Sequence, residues 1–398
     1  MDRIEELLTR GVDTIYSTKA ELEKVLRSGK KLKLYQGFDP TGTQLHIGHM
    51  VGLRKLRQWQ DAGHHVIFLI GDGTGQAGDP SGKTTARDKF FTREELRANA
   101  VDYVKQAGKI VRFEGENPVE IRFNGDWLNK LTLVDILDIA GHFTLQQLTE
   151  RDLFQERMKR NEPVNLREFL YPLLQGYDSV AMKVDLELGG SDQTFNMLVG
   201  RDLVRAILQK EKFVMTTPLL TDSQGRKIGK TEGNVIALTD APEDLYGKIM
   251  SLPDDVIVRG FEYLTDVPME AVKKIEKDFT NSPVEYKKQL AFEIVKQLNT
   301  DEDAKKAQEY FEKTVQKKEL PSDIKEIQLS SDDEEIIDED FLVDLGLVSS
   351  KSEAKRLMQQ GGVEVDGKRL TGEQNLPLKN GMIIKVGKRR IVKLKTAR

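Results

Sequence analysis

The chain has 398 residues, of which 38% are apolar and 32% charged, with a formal net charge of −4. That length fits two or three domains, and the balance excludes both a wholly disordered chain and a bilayer-embedded one. Cysteine is absent, which removes disulfides, thiolate metal sites, iron–sulfur clusters and a thiol nucleophile. No apolar run nears the roughly 18 residues that span a bilayer. The opening segment MDRIEELLTRG lacks the apolar stretch of a signal peptide. The expectation is a soluble, cytoplasmic protein with no membrane partner.

Residues 1–28 read as amphipathic helix. Residues 31–36 (KLKLYQ) read as a short strand, closed by Gly37 and the turn Asp39-Pro40-Thr41-Gly42. A helix is expected from about His46 to Asp61, stopped by Gly63. HVIFLI at 65–70 is a continuous apolar run, the pattern of a buried parallel strand. A Gly-rich loop follows, and TREE at 92–95 has the form of a capping box opening the next helix. Further strands are expected near 110–113, 119–123, 185–188 and 212–216, with helices between them. This alternation argues for an α/β fold: a doubly wound domain with a parallel sheet. Residues 130–182 carry no strand signal and read as a helical insertion.

Helical periodicity dominates after about residue 240, and the polar stretch from Pro321 reads as a linker. The tail shows a helix at 352–360, a Gly-Gly turn and short alternating strands. The expected organisation is an α/β domain at 1–238, a helical domain at 239–320, a linker at 321–337 and a small α+β domain at 338–398. Residues 332–344 hold eight acids, whereas 351–398 hold thirteen Lys or Arg against four acids, a net +9. A basic module of that kind is a candidate for nucleic acid.

Three motifs could carry chemistry. Gly73 to Gly78 matches G-x-G-x-x-G, but the dinucleotide fingerprint needs a helix opening inside the loop. Here Asp79-Pro80-Ser81-Gly82-Lys83 follows, and the next helix signal waits until Thr92. A phosphate-handling loop, with Lys83 and Arg87 able to close over a substrate, fits better than a nicotinamide site. His46-Ile47-Gly48-His49 stands at an expected helix start, where free backbone N–H groups and the dipole attract phosphate. Gly48 lets a flat base approach the backbone, and imidazoles can donate to phosphate oxygens that gain charge. Lys227-Ile228-Gly229-Lys230-Thr231 follows a strand and a polar turn; taken alone it reads as a basic surface loop, but beside the histidine motif its two lysines suit a pyrophosphate clamp.

Taken together, YQGFDPTGTQLHIGH, GDPSGK, YPLLQGYD, GGSDQ and KIGKT, in that order, closely resemble the bacterial tyrosyl-tRNA synthetases. Those are class I enzymes with HIGH and KMSKS signatures and a Rossmann-like catalytic domain. The tail LGLVSSKSEAKRLMQQGGVEVDGKRL resembles an S4 RNA-binding domain. The resemblance implies a two-step reaction. Tyrosine and ATP give tyrosyl-adenylate and pyrophosphate, and the tyrosyl group then passes to tRNA(Tyr).

By that resemblance Thr41 and His46 would meet the γ-phosphate end and His49 the ribose side. Lys83, Arg87, Lys227, Lys230 and Thr231 would surround the departing pyrophosphate. Asp39 and Asp192 would serve ATP, Asp192 at the ribose, with Gly48 and Gly190 giving the adenine room. Tyr35 and Asp178 match the residues that bind the phenolic hydroxyl. Asp79, Tyr171 and Gln175 match those on the ammonium, and Gln193 the pocket edge. Tyr171, Gln175 and Asp178 also fall at helical spacing on one face. Magnesium would ride on the pyrophosphate, with no protein metal cluster and no prosthetic group.

The helical insertion matches the part through which such enzymes form a homodimer, with Leu131, Leu133, Ile136, Leu137 and Ile139 as its apolar stripe. Two departures stand out: Gln36 where some relatives carry cysteine, and Gly52 where some carry threonine. The lysine motif reads KIGKT rather than KMSKS. A non-catalytic RNA-binding protein and a tryptophan-specific relative are the alternatives. Intact His46, His49, Lys227 and Lys230 argue against the first, and the Tyr35/Asp178 pair against the second.

Overall fold

The computed structural model describes residues 2–81, 90–149, 152–229, 235–316, 324–329, 336–370, 374–375, 378–387 and 390–395. The chain divides into two compact units, residues 1–241 with 248–301 and residues 242–247 with 302–398. Among the described residues, no helix is long and apolar enough to cross a membrane.

The first unit opens with α1 (Arg3–Thr9), β1 (Thr14–Tyr16) and α2 (Lys19–Arg27). Then come β2 (Lys33–Phe38), α3 (Ile47–Asp61), β3 (His65–Ile70), α4 (Thr74–Ala77), α5 (Arg93–Ala107), β4 (Glu120–Phe123) and α6 (Gly125–Leu128). Four helices without an intervening strand follow: α7 (Leu133–Ala140), α8 (Leu145–Thr149), α9 (Asp152–Lys159) and α10 (Leu166–Met182). The chain re-enters the sheet with β5 (Leu186–Gly190), α11 (Thr194–Leu208) and β6 (Phe213–Thr217). The sheet order is β1-β6-β5-β2-β3-β4; all neighbours are parallel except β1, which runs antiparallel to β6. In the HVIFLI strand only His65 is exposed, as a central strand covered on both faces requires.

Several boundaries are set as the sequence suggests. Thr92 and Glu95 form a reciprocal capping box at α5, and Thr132 with Asp135 does the same at α7. Other expectations are corrected. The first 28 residues are not helical throughout, because Thr14–Tyr16 pairs with Val214–Thr216. Residues 110–113 form turns and bends, not a strand. The Arg112 N–H is taken by the Gln60 side chain at 3.1 Å, and its carbonyl is shared between Gln60 Nε2 and the Val119 N–H, both at 2.8 Å. The Gly-rich loop does hold one helical turn, α4, whose Gly73 and Thr74 N–H groups donate to the Asn124 side chain.

Next come α12 (Pro242–Met250), α13 (Asp254–Leu264), α14 (Met269–Asp278), α15 (Pro283–Leu298) and α16 (Asp301–Phe311). A boundary at 239 was expected, yet residues 248–301 share a unit with the sheet. Polar contacts explain this. Arg54 on α3 bonds Gln297 on α15 and reaches Asp266 at 2.6 Å. Arg10 donates to the carbonyls of Glu262 and Thr265 at the end of α13, at 3.0 and 2.6 Å.

The second unit carries β7 (Lys325–Gln328), β8 (Ile336–Ile337), α17 (Glu339–Asp344), α18 (Lys351–Gln359), β9 (Val363–Val365), β10 (Lys368–Leu370), β11 (Gln374–Asn375), β12 (Ile383–Val386) and β13 (Arg390–Lys395). One sheet has the order β10-β9-β12-β13-β7, and β11 pairs with β8. Leu342, Ala354, Met358, Val363, Ile384 and Leu394 form its core. Residues 325–328, expected within a linker, are a strand parallel to β13. Strand β7 gains its partner only from the end of the chain, which local sequence does not announce.

Candidate active site

Strands β2 and β5 are neighbours at the centre of the sheet, but the chain leaves them in opposite directions. From β2 it passes through α3 to β3 on one side; from β5 it passes through α11 to β6 on the other. Open α/β sheets bind ligands at the carboxyl ends of such a switch point. Residues 39–49 leave β2 there, and Gly190–Gln193 leave β5.

His46 caps α3, its Nδ1 accepting from the Gly48 N–H at 3.1 Å. The Nδ1 of His49 accepts from the His46 N–H at 3.1 Å, and the two ring centroids lie 3.9 Å apart. Each Nδ1 is thus an acceptor, so the neutral rings carry their protons on Nε2. Both imidazoles present Nε2–H groups as donors. Thr41 sits in the turn before them, its N–H donating to the Asp39 carbonyl at 2.8 Å.

The lysine motif meets this helix start. Ile228 N–H donates to the Leu220 carbonyl at 2.8 Å, and Gly229 follows with φ +89°. A Cβ on Gly229 would lie 2.5 Å from Cγ2 of Ile47, and one on Gly48 would lie 3.8 Å from the Ile228 carbonyl oxygen. Just beyond, Ile47 N–H donates to Ile236 O and Leu238 N–H to Leu45 O, both at 2.9 Å. Two motifs far apart in the chain therefore lie against each other. Lys227 Nζ is 2.8 Å from Oδ2 of Asp192, and a Cβ on Gly190 would lie 2.7 Å from Oδ1 of the same carboxylate. Lys83, Arg87, Lys230 and Thr231 lie outside the described residues.

Tyr171, Gln175 and Asp178 share α10, as their spacing predicts. Tyr171 Oη donates to Asp39 Oδ2 at 2.9 Å, and Asp39 Oδ1 accepts from Thr74 Oγ1 at 2.7 Å. Asp39 is pressed so closely on Gly71 that a Cβ there would lie 1.8 Å from Oδ1. Asp79 accepts from Ser81 N–H and from Gln193 Nε2, both at 2.8 Å. Asn196 Nδ2 donates to the Oε1 atoms of Gln193 and Gln175, at 2.9 and 3.0 Å. Asp178 accepts from Asn124 Nδ2 at 3.0 Å and Trp127 Nε1 at 2.8 Å.

Tyr35 Oη lies 3.0 Å from Ser179 Oγ. Burial, reinforced by the Glu187 and Asp178 carboxylates, pushes the Tyr35 phenol well above its ordinary pKa. Burial also raises Tyr171, with Asp39 adding to it, so both phenols keep their protons. The Asp178 carboxyl is likewise pushed well up by burial, against the lowering effect of Asn124 and Trp127. Sequence reasoning missed Asn124, Trp127, Ser179, Glu187, Asn196 and Lys212. The lone acid in the buried strand LELGG was the one available signal.

The two departures at 36 and 52 are a single structural change. A Cβ added to Gly52 would fall 2.4 Å from Nε2 of Gln36, so the side chain at 36 fills the space beside 52. Gln36 Oε1 is buried with no hydrogen-bond partner among the described residues. Asp72, fully buried at the start of the Gly-rich loop, binds Arg93 at 2.8 Å and Arg97 at 2.7 Å. That pairing ties the start of the loop to α5. Among the described residues no group of three or more His, Cys, Asp or Glu could hold a metal ion.

Comparison with known proteins agrees with this geometry. The family described as tRNA synthetases class I (W and Y) matches residues 27–316, and the S4 domain family matches residues 339–378. The tyrosine–tRNA ligase of Thermotoga maritima is 42% identical over 394 residues, covering 98% of this chain and 96% of that protein. The tyrosine–tRNA ligase of Aquifex aeolicus is 40% identical over 376 residues, 94% of each chain. A C-terminally truncated mitochondrial tyrosyl-tRNA synthetase of Aspergillus nidulans superposes with a TM-score of 0.66 at 26% identity, covering 77% of this chain and 92% of that one. The chain belongs to the class I tRNA synthetases of the W and Y family and carries an S4 domain.

Proposed function

We infer that this synthetase is a tyrosine–tRNA ligase. It activates L-tyrosine with ATP to tyrosyl-adenylate and transfers the tyrosyl group to the 3′-terminal adenosine of tRNA(Tyr). The observation that carries the reading is the polar lining beneath α10. A buried carboxyl on Asp178 and a buried phenol on Tyr35 stand at one end of a row that reaches Gln175, Gln193 and Asp79. Polar groups so buried cost free energy unless they are hydrogen-bonded, and the donor and acceptor capacity these groups have left suits a polar ligand. A phenol supplies one donor and one acceptor there, which an indole or a phenyl ring does not. The high identity to relatives named tyrosine–tRNA ligase supports the same substrate.

The chemistry asks for positioning and charge stabilisation more than for covalent catalysis. Tyr35 and Asp178 hold the phenol, while Asp79, Tyr171 and Gln175 hold the ammonium, with Gln193 at the edge. The tyrosine carboxylate attacks the α-phosphate, and pyrophosphate leaves. The Nε2–H groups of His46 and His49 donate to the ATP phosphates and ribose as charge shifts, with Thr41 beside the γ-phosphate. Lys227, Lys230, Thr231, Lys83 and Arg87 neutralise the departing pyrophosphate. Asp39 and Asp192 serve ATP, and Gly48 and Gly190 leave room for the adenine. Binding of ATP draws Lys227 away from Asp192, freeing the carboxylate for the ribose. Magnesium, bound through phosphate oxygens, would supply further charge neutralisation.

The S4 domain and the helices between 242 and 311 contact tRNA(Tyr), the S4 lysines giving largely sequence-independent affinity. The helical insertion forms a homodimer interface, and the enzyme works in the cytoplasm. Amino-acid-dependent exchange of labelled pyrophosphate into ATP tests the reading. Exchange with tyrosine alone is expected. Exchange with tryptophan instead would reassign the substrate, and none with any amino acid would leave an RNA-binding protein without catalysis.

A further inference from the structure

We propose that Glu187 and Lys212 are positioning residues for amino-acid recognition. Their buried ion pair fixes which atoms at both ends of the pocket donate and which accept hydrogen bonds. The proposal rests on the tyrosine reading of the site and assigns to it a pair that acts through Ser179 and Gln175.

Glu187 lies on β5, and Lys212 immediately precedes β6, the parallel neighbour of β5. Both are fully buried, at 2% and 0% exposure. Lys212 Nζ donates to Glu187 Oε2, to Ser179 Oγ at 2.8 Å and to the Met197 carbonyl at 3.2 Å. An ammonium has three donors, and all three are used. Room for it is made by Gly200, where a Cβ would lie 2.8 Å from Nζ. Two apolar side chains of similar size would stabilise such a position as well as a buried pair does, so stability alone does not account for it.

The directions of the hydrogen bonds do. Ser179 Oγ accepts from Lys212 and gives its own proton to Glu187 Oε2, 3.2 Å away. With the Ser179 proton committed, the contact between Tyr35 Oη and Ser179 Oγ is donated by the phenol. The Tyr35 oxygen is thereby left to act as an acceptor, which is what the hydroxyl proton of a bound tyrosine needs. On the other side, Glu187 Oε1 accepts from Gln175 Nε2 at 3.1 Å. That turns Gln175 Oε1 toward Asn196, as Asp79 turns Gln193 Oε1 toward the same residue. Both glutamines are thus held with their oxygens free of the carboxylates, and oxygens are what an ammonium requires. One ion pair therefore sets the polarity at the phenol end and at the ammonium end.

The test uses the full-length enzyme and a double variant, Glu187→Gln with Lys212→Met. Removing both charges together avoids leaving one buried and alone. Pyrophosphate exchange with tyrosine and with phenylalanine is measured beside a thermal melt. The expected result is a folded enzyme whose KM for tyrosine rises about tenfold or more and whose preference over phenylalanine falls by a similar factor. The kcat and the KM for ATP should stay within about threefold, a split that general loosening would not give. A folded double variant with wild-type KM and preference overturns the proposal. If the double variant does not fold, Ser179→Ala decides, since it keeps the Glu187–Lys212 pair and the Gln175 contact but removes the link to Tyr35: loss of preference supports the proposal and unchanged preference overturns it. Wild-type enzyme showing no tyrosine-dependent exchange would instead defeat the ligase reading itself.

Discussion

Gly229 rests on Ile47 with no room for a side chain: a Cβ would fall 2.5 Å from Cγ2 of Ile47. The lysine motif can approach the start of α3 only because position 229 is glycine in a left-handed conformation, φ +89°. This contact brings Lys227 toward the same strand ends as His46 and His49. Gly229→Ala should therefore combine backbone strain of about 1 kcal/mol with a steric push away from α3. Adenylate formation in a single turnover should slow about tenfold or more, because reacting groups lose alignment. Tyrosine affinity, measured by equilibrium titration, should be unchanged. An equal loss in tyrosine affinity would show that the loop shapes the amino-acid pocket instead.

Asp178 is held by Asn124 and Trp127 at 3.0 and 2.8 Å, so its orientation is fixed before any ligand arrives. Asp178→Ala should reduce the preference for tyrosine over phenylalanine by about a hundredfold, since a site built for a hydroxyl rejects its absence strongly. Competition in pyrophosphate exchange measures this. Unchanged preference would remove Asp178 from the pocket.

Much of this site was legible because its residues sit in short, local words. His46 and His49 flank a glycine at a helix start, and Tyr171, Gln175 and Asp178 repeat at helical spacing. Glu187, Ser179 and Lys212 were not legible together. Their encounter depends on β5 pairing with β6 and on α10 bringing Ser179 to Glu187, a tertiary fact with no local sequence sign. The same reason hid β7, whose partner β13 comes at the end of the chain. Strand β1 was lost because three residues are too few to display a period of two. The apolar stripe of the insertion was legible as a stripe but not by fate. Ile139 is buried in a core with Leu173 and Leu203, and Leu131 packs against it, while Leu133 and Leu137 stay exposed.

Lys55, on the helix that carries the histidines, is wholly buried and donates to the carbonyls of Leu7 and Arg10 at 2.6 and 2.7 Å. Burial, with Arg10 nearby, pushes its pKa down to about 7. An unfolded chain would hold that proton to about pH 10.4. Below pH 7 both states are charged and the cost of burial is felt in full. Between pH 7 and about 10.4 the unfolded chain binds a proton that the native lysine has lost, so stability rises with pH. The slope from this residue is at most about 1.4 kcal/mol per pH unit. Urea unfolding of wild type and Lys55→Met at pH 7, 8 and 9 should show the wild type gaining on the variant as pH rises. A constant difference across that range would mean Lys55 does not titrate there.

Leu133, Val134 and Leu137 on α7, with Leu145 and Leu166, are each at least 60% exposed. Large apolar side chains grouped on one insertion are what the proposed homodimer interface would cover. Leu137→Glu should shift the enzyme from dimer to monomer in sedimentation velocity at micromolar concentration, because each copy would bury a charge. Circular dichroism should be unaltered. A variant that remains dimeric would place the interface elsewhere.

The tail can be tested only if it is cut where the structure allows. Strand β7 pairs with β13, and Leu329 N–H donates to the Lys395 carbonyl at 2.9 Å, so a truncation at 338 would strand β7 without its partner. Removal of residues 324–398 takes the whole five-stranded sheet and its core together. Tyrosine-dependent pyrophosphate exchange should stay within about twofold of wild type, since the groups that position tyrosine and ATP remain. Aminoacylation of tRNA should fall by about tenfold or more, and the salt dependence of tRNA binding should flatten as basic contacts are lost. Equal retention of both activities would show that the S4 domain does not hold the tRNA. Equal loss of both would show that it is needed for the adenylation site to form.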